Sequence, residues 1–250
     1  MDLISVMKRS EYKFILTKDQ SVLFKTAILD HMKVDQYGLT TISSIYYDTP
    51  DFRLIRNSIE KPPYKEKMRL RSYGLANNEK QVFLELKRKS QGIVYKRRIA
   101  LSEQLAVDFF NNKASIGEDQ IAKEIIYFRD FYKKLIPQIM ILYDRRAYQE
   151  INGGDLRLTI DENPRYRTYK FDLHTSNEGA LLLEEGSAIL EVKAQDEIPL
   201  WLTSILSSLK IFKTSFSKVG EAYKRIKQKN EYQKDLLRRE HHEVIIWFTT

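Results

Sequence analysis

The sequence predicts an α+β protein whose antiparallel strands form a curved sheet, apolar on the outer face and basic on the inner face. Several predicted strands alternate charged and apolar residues, and five segments have helical periodicity. The chain also carries 42 Lys and Arg against 34 Asp and Glu. Because successive strand residues point to opposite faces of a sheet, the alternation separates a charged face from an apolar one.

The composition limits the classes of protein and site. A chain of 250 residues fits one domain with a sizeable core, and a net charge of +8 indicates an anionic partner without identifying it. The absence of cysteine excludes disulfides, thiolate metal sites and cysteine nucleophiles. No apolar run approaches the roughly 18 residues of a transmembrane helix, and the first residues do not resemble a signal peptide. We therefore expect a cytoplasmic protein.

Helices are predicted where apolar residues recur at helical spacing behind a capping residue or proline. They run from Lys18 (capped by Thr17) to Met32, from Ser102 to Asn111, from Gly117 to Leu135, from Pro199 to Leu209 and from Ser217 past Leu236. These helices need apolar surface to pack on. If they cover the outside of the sheet, the charged faces of the strands must point inward.

The charged strand positions are rich in Lys and Arg with single acidic residues between them. They are Arg9, Glu11, Lys13, Lys67, Arg69, Arg71, Glu85, Lys87, Lys89, Lys96, Arg98, Arg145, Asp155, Arg157, Asp161, Glu191 and Lys193. The ordinary interpretation of any one such strand is a solvated outer face. For the set as a whole, the competition of the helices for apolar surface favours an inward face.

An inward face with this many cations cannot be a dry core. Each unpaired buried charge costs several kcal/mol, and the sum would exceed the roughly 5–15 kcal/mol by which a domain is stable. The cations must line a wet cavity that holds a dense anion. A phosphate chain is suitable because Arg binds phosphate oxygens in bidentate fashion and Lys adds point charge. The few glutamates would hold Mg²⁺ or Mn²⁺ beside the phosphate oxygens.

An ordered series of motifs resembles the VTC (vacuolar transporter chaperone) domain, the polyphosphate polymerase branch of the CYTH-like triphosphate tunnel metalloenzymes. The series runs from about Arg9 to Tyr223. It comprises Arg9-Ser-Glu-Tyr-Lys13, Ser44-Ile-Tyr-Tyr-Asp48-Thr49, Lys67-Met-Arg-Leu-Arg71, Glu85-Leu-Lys-Arg-Lys89, Lys96-Arg-Arg98, Tyr143-Asp-Arg145, Arg157-Leu-Thr-Ile-Asp161, Leu190-Glu-Val-Lys193 and Ser215-Phe-Ser-Lys218.

This resemblance implies a closed antiparallel eight-stranded β-barrel, the triphosphate tunnel, with helices packed outside. The tunnel domain would span residues 1–236, with a C-terminal tail at 237–250. The implied substrate-binding residues are Lys13, Arg69, Arg71, Lys87, Lys96, Arg98, Arg145, Arg157, Lys193 and Lys218. Among these, Lys87, Arg145 and Lys218 are implied to be catalytic together with Glu191. The implied ligands of the Mn²⁺ or Mg²⁺ cofactor are Glu191, Glu11 and Glu85.

One departure from the wider superfamily bears on the reaction. Many tunnel metalloenzymes begin with Glu-x-Glu-x-Lys, whereas Arg9 occupies the first glutamate position here. A water-activating carboxylate is then missing, which favours a polymerase that extends polyphosphate with the γ-phosphoryl group of ATP. A tri- or polyphosphatase and a non-catalytic polyphosphate sensor stay open as alternatives.

The expected partners are therefore ATP or triphosphate and polyphosphate. No nucleic acid is expected, because no helix-turn-helix, zinc-finger or RNP pattern is present. The basic run from Lys224 to Arg239 is typical of a solvated helix face, and docking on a membrane protein or an anionic membrane is the alternative. The oligomeric state is not predicted.

Overall fold

The computed structural model describes residues 10–74, 81–174, 178–195 and 197–247, with side chains described through Gln233. The strands are β1 (Ser10–Leu16), β2 (Met32–Asp48), β3 (Tyr64–Tyr73), β4 (Val82–Ser90), β5 (Ile93–Leu101), β6 (Ile136–Glu150), β7 (Arg157–Arg167), β8 (Ala180–Leu181), β9 (Ala188–Ala194) and β10 (Lys213–Thr214). The helices are α1 (Lys18–Ala27), α2 (Arg53–Glu60), α3 (Glu103–Phe110), α4 (Gln120–Tyr132), α5 (Leu200–Ser208) and α6 (Lys218–Trp247). No described helix has the length and apolarity needed to cross a membrane.

All described strands join one antiparallel sheet, which confirms the α+β class. The strand order is β10-β1-β9-β7-β6-β2-β3-β4-β5, with β8 added beside β7. Within the described residues the sheet contains ten strands, nine of them on this path, and the two ends of the path, β10 and β5, are not hydrogen-bonded to each other. The prediction of eight strands in a closed barrel is therefore not confirmed, although the large antiparallel sheet is.

The sheet curves so that distant strands approach each other. Strands β1 and β4 are six places apart in the hydrogen-bonded order, which in a flat sheet would separate them by about 29 Å. Yet the charges of Glu11 and Lys13 on β1 both shift the pKa of Lys87 on β4. Curvature therefore brings the side chains of the two strands to face each other.

Two apolar clusters cover the outer face of the sheet. Helices α3 and α4 pack Phe109, Ile125 and Phe128 against the β3–β4 region. Helices α1 and α5 pack Phe24 and Leu202 against β1, β7 and β9. These four helices occupy the apolar face that the strand alternation predicts for them.

The expectation that all helices lie outside is wrong for α2 and the start of α6. Ile55 of α2 and Val219 and Ala222 of α6 are buried together with Ile139 and Tyr143 of β6. This third cluster lies on the same side of the sheet as the charged residues. Since α6 begins there, its first residue, Lys218, is held next to the charged side chains.

The helix starts follow the predicted caps at three places. Thr17 and Gln20 form a reciprocal capping box at α1, Ser102 accepts a hydrogen bond from Leu105 N–H at α3, and Pro199 precedes α5. Helix α1 ends at Ala27, earlier than the predicted Met32, because β2 begins at that methionine. Helix α4 is also shorter than predicted and is capped by Asp119.

Helix α2 was not predicted, and a buried carboxylate at the end of β2 supports it. Asp48 is fully buried and accepts hydrogen bonds from the backbone N–H groups of Thr49, Leu54 and Ile55 at 2.7–2.9 Å. The N–H groups of Leu54 and Ile55 lie in the first turn of the helix, where the helix itself offers them no acceptor. Asp48 therefore couples β2 to α2, and through Ile55 it couples β2 to the cluster under α6.

We predict that Asp48→Ala lowers the free energy of unfolding by about 2–3 kcal/mol, because three buried N–H groups lose a charged acceptor. Chemical denaturation of the empty protein measures the change. Asp30→Ala, at an exposed aspartate, is the control and should change the free energy by less than about 0.5 kcal/mol. Equal stability of the two variants would contradict the assigned role of Asp48.

Candidate functional site

The side of the sheet opposite α1, α3, α4 and α5 carries a dense group of charges, which we call the basic face. Its cations are Lys13, Lys65, Lys67, Arg69, Arg71, Lys87, Lys89, Lys96, Arg98, Arg145, Lys193 and Lys218. In the described part of the chain its carboxylates are Glu11, Glu85, Asp161 and Glu191. The cations clearly outnumber the carboxylates.

The clearest excess of charge is a row of three lysines on adjacent strands. Lys67 on β3 is directly opposite Lys87 on β4, which is directly opposite Lys96 on β5. Like charges in directly opposed positions destabilise a sheet. Burial, together with the charges of Lys87 and Lys13, lowers the pKa of Lys67 to about 8. The empty site therefore holds these ammonium groups in a strained electrostatic arrangement.

A second group is organised around Glu85 on β4. This carboxylate is almost fully buried and lies 2.7 Å from Arg69 and 2.7 Å from Lys96, with Arg98 at 4.0 Å. Burial opposes its ionisation, but Arg69, Arg71 and Lys96 outweigh burial and lower the pKa of Glu85 to about 2. Glu85 therefore fixes the orientation of the cations around it.

A third group joins β1, β6, β7, β9 and the start of α6. Asp161 is completely buried and accepts two hydrogen bonds from Arg145, at 2.6 and 2.8 Å, and one from Lys218. Beside it, Glu191 contacts Lys13 at 3.2 Å, Arg145 at 3.5 Å and Lys218 at 3.8 Å. The bidentate ion pair holds Arg145 rigidly, whereas the contacts of Glu191 are longer and looser.

Hydroxyl groups orient the two arginines of β3. Arg69 donates to the phenol oxygen of Tyr46 at 3.2 Å, and Arg71 donates to Ser44 at 3.0 Å and to Tyr143 at 3.3 Å. Arg71 is buried, yet among the described residues no carboxylate forms an ion pair with it. Its charge therefore remains available to an anion on the basic face.

The ionisation of Tyr46 reflects this excess of charge. Burial opposes ionisation of the phenol, but the charges of Arg69, Lys67 and Arg71 outweigh burial and lower the pKa of Tyr46 to about 7. The shift indicates a positive potential that partly ionises a phenol near neutral pH. A stronger anion at the same place would gain from the same potential.

Most of the sequence-predicted cations come together on the basic face, whereas Arg157 lies at the end of that face, apart from the three charge groups. Its exposed guanidinium donates to the backbone carbonyls of Gly154 and Leu156 at the start of β7. Lys193 is directly opposite Arg157 and Glu11, so this cross-strand group lies at one end of the face. Arg9 lies outside the described residues. Lys67 and Asp161, which the alternation placed on the charged face without a specific role, belong to the site. Tyr46 and Tyr143 belong to it as well but were not among the predicted site residues.

The predicted metal ligands do not form one cluster. Among the described residues there is no group of three or more acidic or histidine side chains that could hold a metal ion. Glu85 is fixed by close ion pairs, while Glu191 has only looser contacts and Glu11 lies 3.4 Å from Lys13. Mg²⁺ commonly binds one or two carboxylates and completes its shell with phosphate oxygens and water. The described residues therefore fit a metal ion that is held by Glu191 and Glu11 and completes its coordination with phosphate oxygens and water.

Comparison with protein families identifies the chain. The model of the VTC domain matches residues 8–227, a range that includes every element from β1 to the first turns of α6. The chain belongs to the VTC domain family. The predicted resemblance is thereby confirmed. No curated protein matches the sequence of this VTC domain.

Solved structures share the fold at low sequence identity. A "putative adenylate cyclase" from Bacillus halodurans superposes with a TM-score of 0.53 and 15% identity, covering 84% of this chain and 96% of that chain. A "putative adenylyl cyclase" from Hippeastrum, described as having a dominant triphosphatase activity, has a TM-score of 0.53 and 16% identity. Its match covers 84% of this VTC domain and 92% of that chain. At this identity the likeness concerns the fold.

We predict that the empty protein becomes more stable as the pH rises from about 7 towards 10. Tyr46 and Lys67 have folded-state pKa values below their ordinary values of 10.0 and 10.5. Over this range the unfolded chain binds more protons at both groups, so stability rises with pH. The free energy of unfolding, measured by denaturant titration at several pH values, should show this rise.

Two comparisons isolate the cause of the pH effect. Tyr46→Phe should reduce the rise, because the contribution of the tyrosine is lost while those of Lys67 and the neighbouring lysines remain. Saturating tripolyphosphate should also reduce the rise, because the bound anion supplies the counter-charge. A slope that is the same in wild type and Tyr46→Phe would contradict the assignment.

Proposed function

We propose that this VTC domain is a metal-dependent polyphosphate polymerase that transfers the γ-phosphoryl group of ATP to a growing polyphosphate chain on the basic face. The observation that carries the proposal is the directly opposed row of Lys67, Lys87 and Lys96, which lacks matching carboxylate charge. Glu85 is the only described carboxylate with an ion pair to this row, and it also pairs with Arg69. Such a row is costly when empty and is relieved by a dense linear anion.

The proposed substrate contacts follow from the geometry of the three charge groups. The lysine row faces β1, and Lys13 on that strand is electrostatically coupled to Lys67 and Lys87. A phosphate chain between these strands would meet Lys13 and Arg145 on one side and the lysine row with Arg71 on the other. In the proposal these side chains hold the triphosphate, with Arg69, Lys96, Arg98 and Lys218 beside them.

The transfer needs positioning and charge neutralisation more than a base. An oxygen of the terminal phosphate of the chain attacks the γ-phosphorus of ATP, forming a new P–O bond. The bond from the γ-phosphorus to the bridging oxygen of the β-phosphate breaks, and its electron pair leaves with ADP. The attacking phosphate is already ionised near neutral pH, so no proton has to be removed. Arg145 and Lys218, held by Asp161, would stabilise the charge on the transferred group.

A divalent metal ion, Mn²⁺ or Mg²⁺, would neutralise phosphate oxygen charge when bound. Glu191, with Glu11 at its side, is the proposed protein ligand, because Glu85 and Asp161 are already engaged by close ion pairs. Consumption of ATP would also locate the activity in the cytoplasm, and we include this location in the proposal.

Hydrolysis is the second candidate function. The Hippeastrum protein, which shares the fold, is described as a triphosphatase, and the same cations could hold a triphosphate for attack by water. The described residues of the basic face offer few free carboxylates to activate water, since Glu85 and Asp161 are held in close ion pairs. This favours phosphate as the acceptor.

Incubation of the purified protein with ATP and Mn²⁺ tests the proposal, with the products resolved by gel electrophoresis. We expect ADP and phosphate chains longer than three units. Formation of ADP and orthophosphate alone would contradict the polymerase and indicate a phosphatase. Binding of ATP without turnover would indicate a sensor. Glu191→Gln should abolish turnover while binding of tripolyphosphate stays measurable. Glu184→Gln, at an exposed glutamate, should leave turnover unchanged.

We predict opposite effects from removing a cation on the two faces of the same strand pair. Lys67→Gln should weaken tripolyphosphate binding by about tenfold and leave the empty protein as stable or more stable, because it relieves repulsion. Arg88→Gln removes the partner of the buried Glu66, 2.7 Å away. It should lower the free energy of unfolding by roughly 1–2 kcal/mol without changing binding. Calorimetry and thermal unfolding measure both quantities. A lower free energy of unfolding for Lys67→Gln would show that Lys67 stabilises the fold and would contradict this prediction.

A further inference from the structure

The excess of positive charge on β3 and β4 continues past the lysine row towards the end of the strands. Lys65 is directly opposite Lys89, on the same face as Lys67 and Lys87. Lys61 follows α2, and its charge contributes to lowering the pKa of Lys65. Burial, together with the charges of Lys89 and Lys61, lowers the pKa of Lys65. A second group of crowded ammonium ions therefore adjoins the first.

The outer face of the same strands shows how this protein balances charge elsewhere. There, Arg88 lies 2.7 Å from Glu66 and 3.3 Å from Glu124, and Arg97 lies 3.0 Å from Glu124. On the basic face, no described carboxylate forms an ion pair with Lys61, Lys65 or Lys89. The lack of matching carboxylates is confined to one face, so it is not a general feature of these strands.

The length of the cationic track exceeds what a triphosphate needs. Lys65, Lys67, Arg69 and Arg71 occupy alternate positions of β3, so the track is about 20 Å long at the rise of a β-strand. Three linked phosphate groups are much shorter than this. If a triphosphate contacts Arg71 and the lysine row, it does not reach Lys65 and Lys89.

We propose that Lys65 and Lys89 form an outer subsite that binds the further phosphate units of a linear polyphosphate longer than triphosphate. This inference rests on the proposed function, because it assumes that the inner part of the basic face holds the triphosphate. The outer subsite makes the affinity depend on chain length, and it keeps a long chain attached between successive transfers.

The test compares two ligands on the double variant Lys65→Ala/Lys89→Ala. Dissociation constants are measured by calorimetry for tripolyphosphate and for a long linear polyphosphate of defined length. We expect the dissociation constant of the long chain to rise about tenfold and that of tripolyphosphate to change less than about twofold. The double variant Lys113→Ala/Lys123→Ala removes the same charge from exposed sites near the outer helices and should change neither.

The outcomes separate this inference from the proposed function. If wild type binds tripolyphosphate but the outer variant binds the long chain as tightly as wild type, the subsite is wrong and the proposed function stands. Equal weakening of both ligands would show that the outer lysines belong to the inner site, which also overturns the inference. If wild type binds neither ligand, the proposed function fails and the inference fails with it. Single-stranded DNA of similar charge is the comparison anion, and an equal loss with DNA would indicate a non-selective basic surface.

Discussion

Repulsion between directly opposed lysines is the constraint on which the organisation of this protein depends. Lys67, Lys87 and Lys96 are neighbours across three adjacent strands. In the empty state their mutual repulsion destabilises the sheet. The curvature of the sheet adds the charge of Lys13 on β1, a strand five places from that of Lys67 and six from that of Lys87. The fold must therefore be stabilised elsewhere, by the apolar clusters under α1, α3, α4 and α5.

Carboxylates on the basic face organise the cations without neutralising all of them. Asp161 fixes Arg145 and Lys218, and Glu85 fixes Arg69 and Lys96, so these groups keep their geometry in the absence of an anion. This arrangement provides preorganised positive charge, which lowers the reorganisation needed when a phosphate chain binds. The apolar cluster beneath α6 completes it, because it holds Lys218 against the sheet.

Local sequence patterns predicted the parts of the fold that depend on local physics. The capping residues of α1 and α3 and the alternation of Lys67, Arg69 and Arg71 lead directly to the observed elements. Whether the sheet closes could not be predicted in this way, because pairing between distant strands leaves no local signal, and the ends of the described sheet are not hydrogen-bonded to each other. Helix α2 was missed because no capping residue directly precedes it. The carboxylate that accepts from its first N–H groups is Asp48 at the end of β2, four residues before the N-cap residue Phe52.

The candidate site shows the same division between local and tertiary effects. Asp161 shares its alternating face with Arg157 in the sequence, yet the first is the buried partner of two cations and the second faces backbone carbonyls at the strand end. Only the neighbouring strands and α6 distinguish the two positions. Tyr46 resembles an ordinary strand tyrosine until the three cations around it are known. The sequence position of an acidic or aromatic residue in a strand therefore predicts the face of the sheet on which the residue lies, but not its role in the site.

A structure of the protein crystallised with tripolyphosphate would test the central claim most directly. The account predicts phosphate oxygens within hydrogen-bonding distance of Lys67, Lys87 and Lys96, between these side chains and Lys13 of the facing strand. The side chains of Glu85 and Asp161 should keep their present partners. An anion bound elsewhere, with the lysine row still empty, would contradict the claim that this row exists to hold a phosphate chain.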